Sequence, residues 1–161
     1  MPKNHASLAK TASFLCAALL IILVALQFTP FWTYGETGEN SASIAGYVWF
    51  PGDHAALTTH LQSVLGADFT LGSILVSPIL MLVLGVIGAV LSVWKAGELL
   101  PALISGTCGV AGVAGFLSRQ ALRLGSGWAL QLTLCVLILA ASCFILHQNW
   151  KMTVSTSDSA A

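Results

Sequence analysis

Charged residues are scarce in this sequence. Its 161 residues include six Lys or Arg and six Asp or Glu, so charged residues make up 7% of the chain and the net charge is zero. A soluble globular domain carries about 25% charged residues, so too few are present here to cover a water-exposed surface. The balanced charge also gives no basis for nucleic-acid binding, which needs a basic patch.

Groups that carry chemistry are scarce as well. Cys16, Cys108, Cys135 and Cys143 form no CxxC pair and lie within apolar runs, which counts against a thiol redox enzyme. There is no phosphate-binding glycine loop, GxSxG motif or HExxH motif. His54 and His60 do not have the i,i+4 spacing of a helical metal pair. We therefore expect no catalytic residue, no cofactor, no metal site and no enzymatic activity.

Long apolar runs are what the sequence has instead. It is 57% hydrophobic, and four stretches carry no charge at all: Thr11–Gly35, Phe69–Trp94, Leu99–Ser118 and Leu124–Trp150. A helix needs about 20 apolar residues to cross the hydrocarbon core of a bilayer, and each stretch is long enough. The sequence thus predicts an all-α integral membrane protein, a four-transmembrane-helix bundle in a single domain. The predicted spans are 11–28, 70–94, 100–118 and 127–147, with an outer loop over 29–69 and a disordered tail over 152–161.

The distribution of basic residues predicts the orientation. With the N-terminus inside, the inner side holds four lysines, and the outer side holds only Arg119 and Arg123. Lys and Arg mark cytoplasmic loops, and Glu36–Asp68 contains four acids and no Lys or Arg. Both termini are therefore predicted to be cytoplasmic, and the short loops favour a bacterial cytoplasmic membrane.

The outer loop has a pattern of its own. Phe31–Tyr34 and Ser43–Phe50 are aromatic and β-branched runs on either side of turn-forming residues, which predicts a short β-hairpin. Apolar residues at helical spacing predict a short amphipathic helix over 54–65. This layout, four spans with a long and structured first outer loop, resembles claudin-type tetraspans in topology. The paired first-loop cysteines of that family have no counterpart in Glu36–Asp68, so no residue role is transferred.

Small residues predict where the helices pack. Helix three carries a glycine at every third position, and a spacing of three drifts about 60° per step around a helix. These glycines should therefore face more than one neighbour, since small residues allow close approach in lipid. A flexible helix lining a pathway is the alternative. The predicted packing positions are Gly106, Gly109, Gly112 and Gly115, with Gly85 and Gly88 as a matching surface on helix two.

Polar residues near the outer side give three further hypotheses. Uncharged polar side chains at similar depth suggest a hydrogen-bonded bridge between spans, or an outer polar pocket for a lipid headgroup or small polar ligand: Gln27, Ser73, Ser77 and Gln131. Two arginines on one side of a helix end suggest a clasp to acids of the loop, with exposed, snorkelling charges as the alternative: Arg119 and Arg123 with Glu36, Glu39, Asp53 and Asp68. Aromatic residues of the loop suggest a partner surface: Tyr47, Trp49 and Phe50.

These observations lead to one functional expectation and one alternative. We expect a non-enzymatic, multi-pass membrane protein that acts as a structural or accessory subunit through its outer loop and helix surfaces. Its partners would be the lipid bilayer and another membrane protein or a second copy of itself. The alternative is an oligomeric channel or facilitator for a small solute or lipid. Proton coupling is not expected, because no Asp, Glu, Lys or Arg lies deep within a predicted span.

Overall fold

Four helices make up most of the computed structural model, which describes residues 2–28, 30–34, 40–43, 59, 62–63, 71–117 and 127–158. The helices are α1 (Pro2–Leu26), α2 (Leu71–Trp94), α3 (Leu99–Leu117) and α4 (Gly127–Asp158), and two short strands, β1 (Pro30–Tyr34) and β2 (Asn40–Ser43), follow α1. The sequence-based prediction of a mainly helical chain with four long helices agrees with this architecture.

The four helices pack in a ring in which each contacts the next along the chain and α4 returns to α1. Side chains from all four helices meet in one core, which includes Leu20 of α1, Met81 of α2, Cys108 of α3 and Ile138 of α4. The apolar residues are not confined to one stripe on each helix. Such all-round apolar helices are found in large protein cores or in membranes.

Two of the helices are long and apolar enough to cross a membrane when judged by length and composition. They are His5–Leu26 in α1 and Ala129–Val154 in α4, while Ile79–Trp94 and Leu99–Gly115 are shorter apolar segments. The sequence predicts four spans, and the crossing itself remains a prediction for each of them.

The bounds of α2 and α3 lie close to the predicted ones, because the turn between them is clearly marked in the sequence. Residue Gly97 follows α2 with a φ of 87°, the left-handed conformation that glycine adopts readily after a helix end. Pro101 lies in the first turn of α3, where its missing N–H leaves no intrahelical hydrogen bond unmade.

The outer bounds of α1 and α4 differ from the prediction. Helix α1 begins at Pro2 instead of near residue 11, and α4 continues to Asp158. The predicted disordered tail is therefore wrong over 152–158. The two extensions stabilise each other through His5 Nδ1 and Gln148 Oε1, 2.6 Å apart, and this contact between distant residues leaves no local signal in the sequence.

The two strands pair antiparallel, with Thr33 opposite Ser41 and Tyr34 opposite Asn40. The predicted hairpin used Ser43–Phe50 as its second strand, of which β2 contains only Ser43. Backbone groups alone form the ladder, so the small polar residues of β2 can pair despite a weak β pattern. The hairpin as predicted, with residues 44–50, lies largely beyond the described segments and stays a prediction, as does the amphipathic helix over 54–65.

Candidate functional site

Buried polar side chains line the interior of the bundle from one end to the other. Seven of those that the structure describes are buried: Ser13, Gln27, Ser92, Ser105, Gln131, Ser142 and Gln148. Large apolar side chains face outward on every helix, including Phe14, Val90, Val110 and Leu137. The outer surface of the bundle is therefore strongly apolar, although its largely apolar core also contains polar side chains.

Two amides meet at the end of the bundle that we call the glutamine end, after Gln27 and Gln131. Gln27 Nε2 donates to Gln131 Oε1 at 3.1 Å and to the Leu23 carbonyl oxygen at 3.0 Å. Gln131 Nε2 lies 3.3 Å from Met81 Sδ. Gln27 is fully buried, and its Oε1 has no hydrogen-bond partner among the described residues. This geometry is the interhelical bridge that the sequence suggested for the pair.

The other two members of the predicted polar pocket have side chains outside the described part of the structure. Ser73 and Ser77 lie in α2, in the part for which the structure describes the backbone alone. The pocket as a ligand site therefore stays a prediction.

Thiols lie in the middle of the bundle, and a pair of hydroxyls lies nearer to the α2–α3 turn. Cys108 Sγ lies 3.5 Å from the Met81 carbonyl oxygen, and Ser92 and Ser105 are joined by their hydroxyls at 3.5 Å. Cys16, Cys108 and Cys135 are free and buried. Within the described residues no three His, Cys, Asp or Glu side chains are grouped so as to hold a metal ion. These groups can donate and accept weak hydrogen bonds between helices.

At the opposite end, which we call the lysine end after Lys10, Lys95 and Lys151, two side chains hold the turn between α2 and α3. The Gly97 N–H donates to Ser13 Oγ at 2.9 Å, and Asn149 Nδ2 donates to the Gly97 carbonyl oxygen at 2.9 Å. Helices α1 and α4 thereby satisfy both backbone groups of one turn residue. Sequence reasoning missed this contact, because nothing in the local pattern pairs Ser13 or Asn149 with a turn so distant in sequence.

Helix α3 lies unusually close to α4 at two of the predicted glycines. A Cβ on Gly109 would lie 2.7 Å from Leu139 Cγ and 3.0 Å from the Cys135 carbonyl oxygen. A Cβ on Gly112 would overlap Cys135 Sγ and would lie 2.9 Å from Met81 Sδ. Gly112 therefore allows close approach to α4 and α2 together.

The remaining predicted glycines contact several neighbours. A Cβ on Gly106 would make an ordinary contact with Ser142 at 3.5 Å, and Gly115 is buried in α3. On α2, a Cβ would lie 2.8 Å from Val24 Cγ2 at Gly85 and 3.1 Å from Leu20 Cδ1 at Gly88. The α2 glycines thus face α1 as well as α3, whereas the sequence suggested a surface for helix three.

A shallow groove of about 300 Å³ lies between α3 and α4 near the lysine end. Small side chains form its floor, among them Ala102, Gly106, Ser142 and Cys143, while Val110 at its edge is exposed. The groove contains no charged residue. Its size and apolar lining suit an acyl chain or the ridge of another helix.

The remaining predicted site residues fall in stretches that the structure leaves undescribed. They are the clasp residues Arg119, Arg123, Glu36, Glu39, Asp53 and Asp68, and the partner surface Tyr47, Trp49 and Phe50. Both hypotheses stay predictions. His54 and His60 also lie there.

The described interior offers amides, hydroxyls and thiols, and its polar contacts join helix to helix. This arrangement is suited to holding a bundle together and to presenting its outer surface. Comparison with protein-family models, with curated proteins and with solved structures finds no match to this chain.

Proposed function

We propose that this chain is a four-pass integral membrane protein. The observation that supports the proposal most directly is the apolar outer surface of the bundle. Large apolar side chains remain exposed on all four helices, with Phe14 at 52%, Val90 at 58%, Val110 at 56% and Leu137 at 47%. Apolar surface in water is unfavourable by about 25 cal/mol per Å², whereas hydrocarbon carries no such penalty.

Helix length supports four spans over two. Helix α2 has 24 residues and α3 has 19, which at about 1.5 Å per residue gives lengths of about 36 Å and 28 Å. Both values are near the hydrocarbon thickness of about 30 Å. We propose that the lysine end is cytoplasmic, in accord with the positive-inside rule, in a bacterial cytoplasmic membrane.

Within the membrane we propose a non-enzymatic role as a structural or accessory subunit. The groove between α3 and α4 supports this role, because small side chains at a helix surface let another transmembrane helix approach closely. The occupant would be a helix of a partner or of a second copy. The undescribed outer loop, including Tyr47, Trp49 and Phe50, would add a second contact surface.

An oligomeric channel or facilitator is the second candidate. Exposed hydroxyls on α3 and α4, those of Thr107 and Thr133, favour it, because they would suit the lining of a polar path between copies. Leu20, Leu23 and Ile138 are fully buried at the centre of the bundle, so a path would have to run between copies. A strictly monomeric protein that leaves solute flux across vesicles unchanged would remove this candidate.

Crosslinking with mass spectrometry in native membranes tests the subunit role. Gly106→Leu places a larger side chain in the groove, and Val90→Leu is the matched control on an exposed face outside it. We expect a crosslinked neighbour that is lost with Gly106→Leu and kept with Val90→Leu, while thermal unfolding shows both variants folded. A chain without crosslinked neighbours, or with neighbours insensitive to Gly106→Leu, would contradict the role assigned to the groove.

A further inference from the structure

The lysine end gathers all four charged side chains that the structure describes: Lys10, Lys95, Glu98 and Lys151. They lie at one height in the bundle. A Cβ on Gly97 would be 3.2 Å from Lys10 Cγ, and Asn149, two residues before Lys151, is bonded to the same glycine. Lysines from α1, from the α2–α3 turn and from α4 therefore share one level.

Two tryptophans mark the same level. Trp94 is 77% exposed and Trp150 is 71% exposed, more than any other large apolar side chain that the structure describes. Each directly precedes a lysine, Lys95 or Lys151. An indole ring combines an apolar body with one N–H donor and favours the headgroup level of a bilayer. Lysine at that depth extends its ammonium group toward lipid phosphates.

The charge at this level is unbalanced. Three lysines and one glutamate give a net charge of +2 over the described side chains. Lys95 Nζ lies 3.7 Å from Glu98 Oε2, and both side chains are exposed. An exposed ion pair of this kind is weak. Lys10 and Lys151 have no ion pair within the described residues. Among the described residues, two ammonium groups at the level of the tryptophans therefore have no acidic partner and can face an external anion.

We propose that the lysine end binds the phosphate groups of anionic phospholipids, through Lys10, Lys95 and Lys151 flanked by Trp94 and Trp150. This proposal rests on the proposed membrane location. A zwitterionic headgroup would bring its own cation to the same lysines, so the complementary ligand is a headgroup with net negative charge. Each lysine near an anionic surface should contribute about a fivefold preference.

Tryptophan quenching by brominated lipid tests the proposal on the full chain. Phe replaces the other tryptophans, Trp32, Trp49 and Trp128, so that only the two at this level report. The protein is placed in phosphatidylcholine nanodiscs that contain either dibrominated phosphatidylglycerol or dibrominated phosphatidylcholine. The test variant is Lys10→Gln with Lys95→Gln and Lys151→Gln, and the control is Arg119→Gln with Arg123→Gln. Helical circular dichroism checks that each variant is folded.

We expect brominated phosphatidylglycerol to quench at lower mole fraction than brominated phosphatidylcholine. The preference should fall about fivefold per lysine removed and persist in the arginine control. Equal quenching by the two lipids, or a preference that survives removal of the lysines, would overturn the proposal. A preference abolished by inorganic phosphate, but not by chloride at equal ionic strength, would assign the site to free phosphate and also overturn it. Absence of quenching by either lipid would instead contradict the membrane location.

Discussion

Single side chains decide how closely the helices of this bundle approach one another. Gly112 is the clearest case, because the position of its missing Cβ is already occupied by Cys135 Sγ and closely approached by Met81 Sδ. Gly106, about 1.7 turns away on the same helix, has ordinary clearance from Ser142. An added methyl group would therefore clash at Gly112 and fit at Gly106, although both are glycines in one apolar run.

Gly112→Ala should destabilise the bundle by about 1–3 kcal/mol, the usual range for overpacking. Gly106→Ala should be close to neutral, since its new Cβ would make only van der Waals contact. Denaturant unfolding of the purified protein in detergent micelles measures both. Adding Cys135→Ala to Gly112→Ala should restore part of the loss, and a double variant no more stable than Gly112→Ala alone would show that the contact with sulfur is not the cause.

The bridge between Gln27 and Gln131 makes a second prediction. Either residue changed to Leu removes the amide contact between the residue that follows α1 and helix α4, and the free energy of unfolding should fall by about 0.6–2 kcal/mol. The double variant should lose less unfolding free energy than the sum of the losses in the two single variants. The reason is that the second substitution removes the amide that the first one left unpaired. A double-variant cycle of unfolding free energies measures this coupling, and strict additivity would contradict the bridge.

Whole elements are held by side chains that lie far away in the sequence. The α2–α3 turn depends on Ser13 of α1 and on Asn149 of α4, which bond the N–H and the carbonyl of Gly97. Asn149 also donates to the Ile145 carbonyl oxygen at 3.0 Å. Helices α1 and α4 are thus both bonded to the turn that joins α2 and α3.

Asn149→Ala and Ser13→Ala should each destabilise the protein by about 0.5–1.5 kcal/mol, because each removes a hydrogen bond to a partly buried backbone group of Gly97. The matched controls are Thr133→Ala and Thr11→Ala, which remove exposed hydroxyls that bond the carbonyl of the preceding helical turn. These controls should stay within about 0.5 kcal/mol of the parent. Equal losses in test and control variants would mean that the turn is not held by these two side chains.

At the scale of the whole molecule, the four cysteines report which side of each helix faces outward. Cys143 is exposed in the groove, and Cys16, Cys108 and Cys135 are buried. In detergent micelles one equivalent of an apolar maleimide should react rapidly at Cys143. The other three should react only when the bundle unfolds, as followed by mass spectrometry. Rapid reaction at Cys108 or Cys135 would contradict the core arrangement.

The sequence predicted elements better than the contacts between them. Apolar runs and the marked turn before Pro101 placed α2 and α3 closely, and similar depth suggested that Gln27 and Gln131 could meet. The extension of α4 past Trp150 was missed, because Ser, Thr and Lys there carry no apolar signal. Which of two similar glycines lies against sulfur, and which side chain bonds Gly97, depends on helix rotation and on distant residues, and no local pattern encodes either.

The bonds at Gly97 also impose an order on assembly. During synthesis Ser13 is made before Gly97, whose N–H it accepts. Asn149 is made about fifty residues after Gly97. The first three helices can therefore associate while the Gly97 carbonyl still lacks its donor. Only the docking of α4 adds the hydrogen bond from Asn149. Nascent chains truncated before Asn149 should accordingly remain more protease-sensitive at Lys95 than the finished protein.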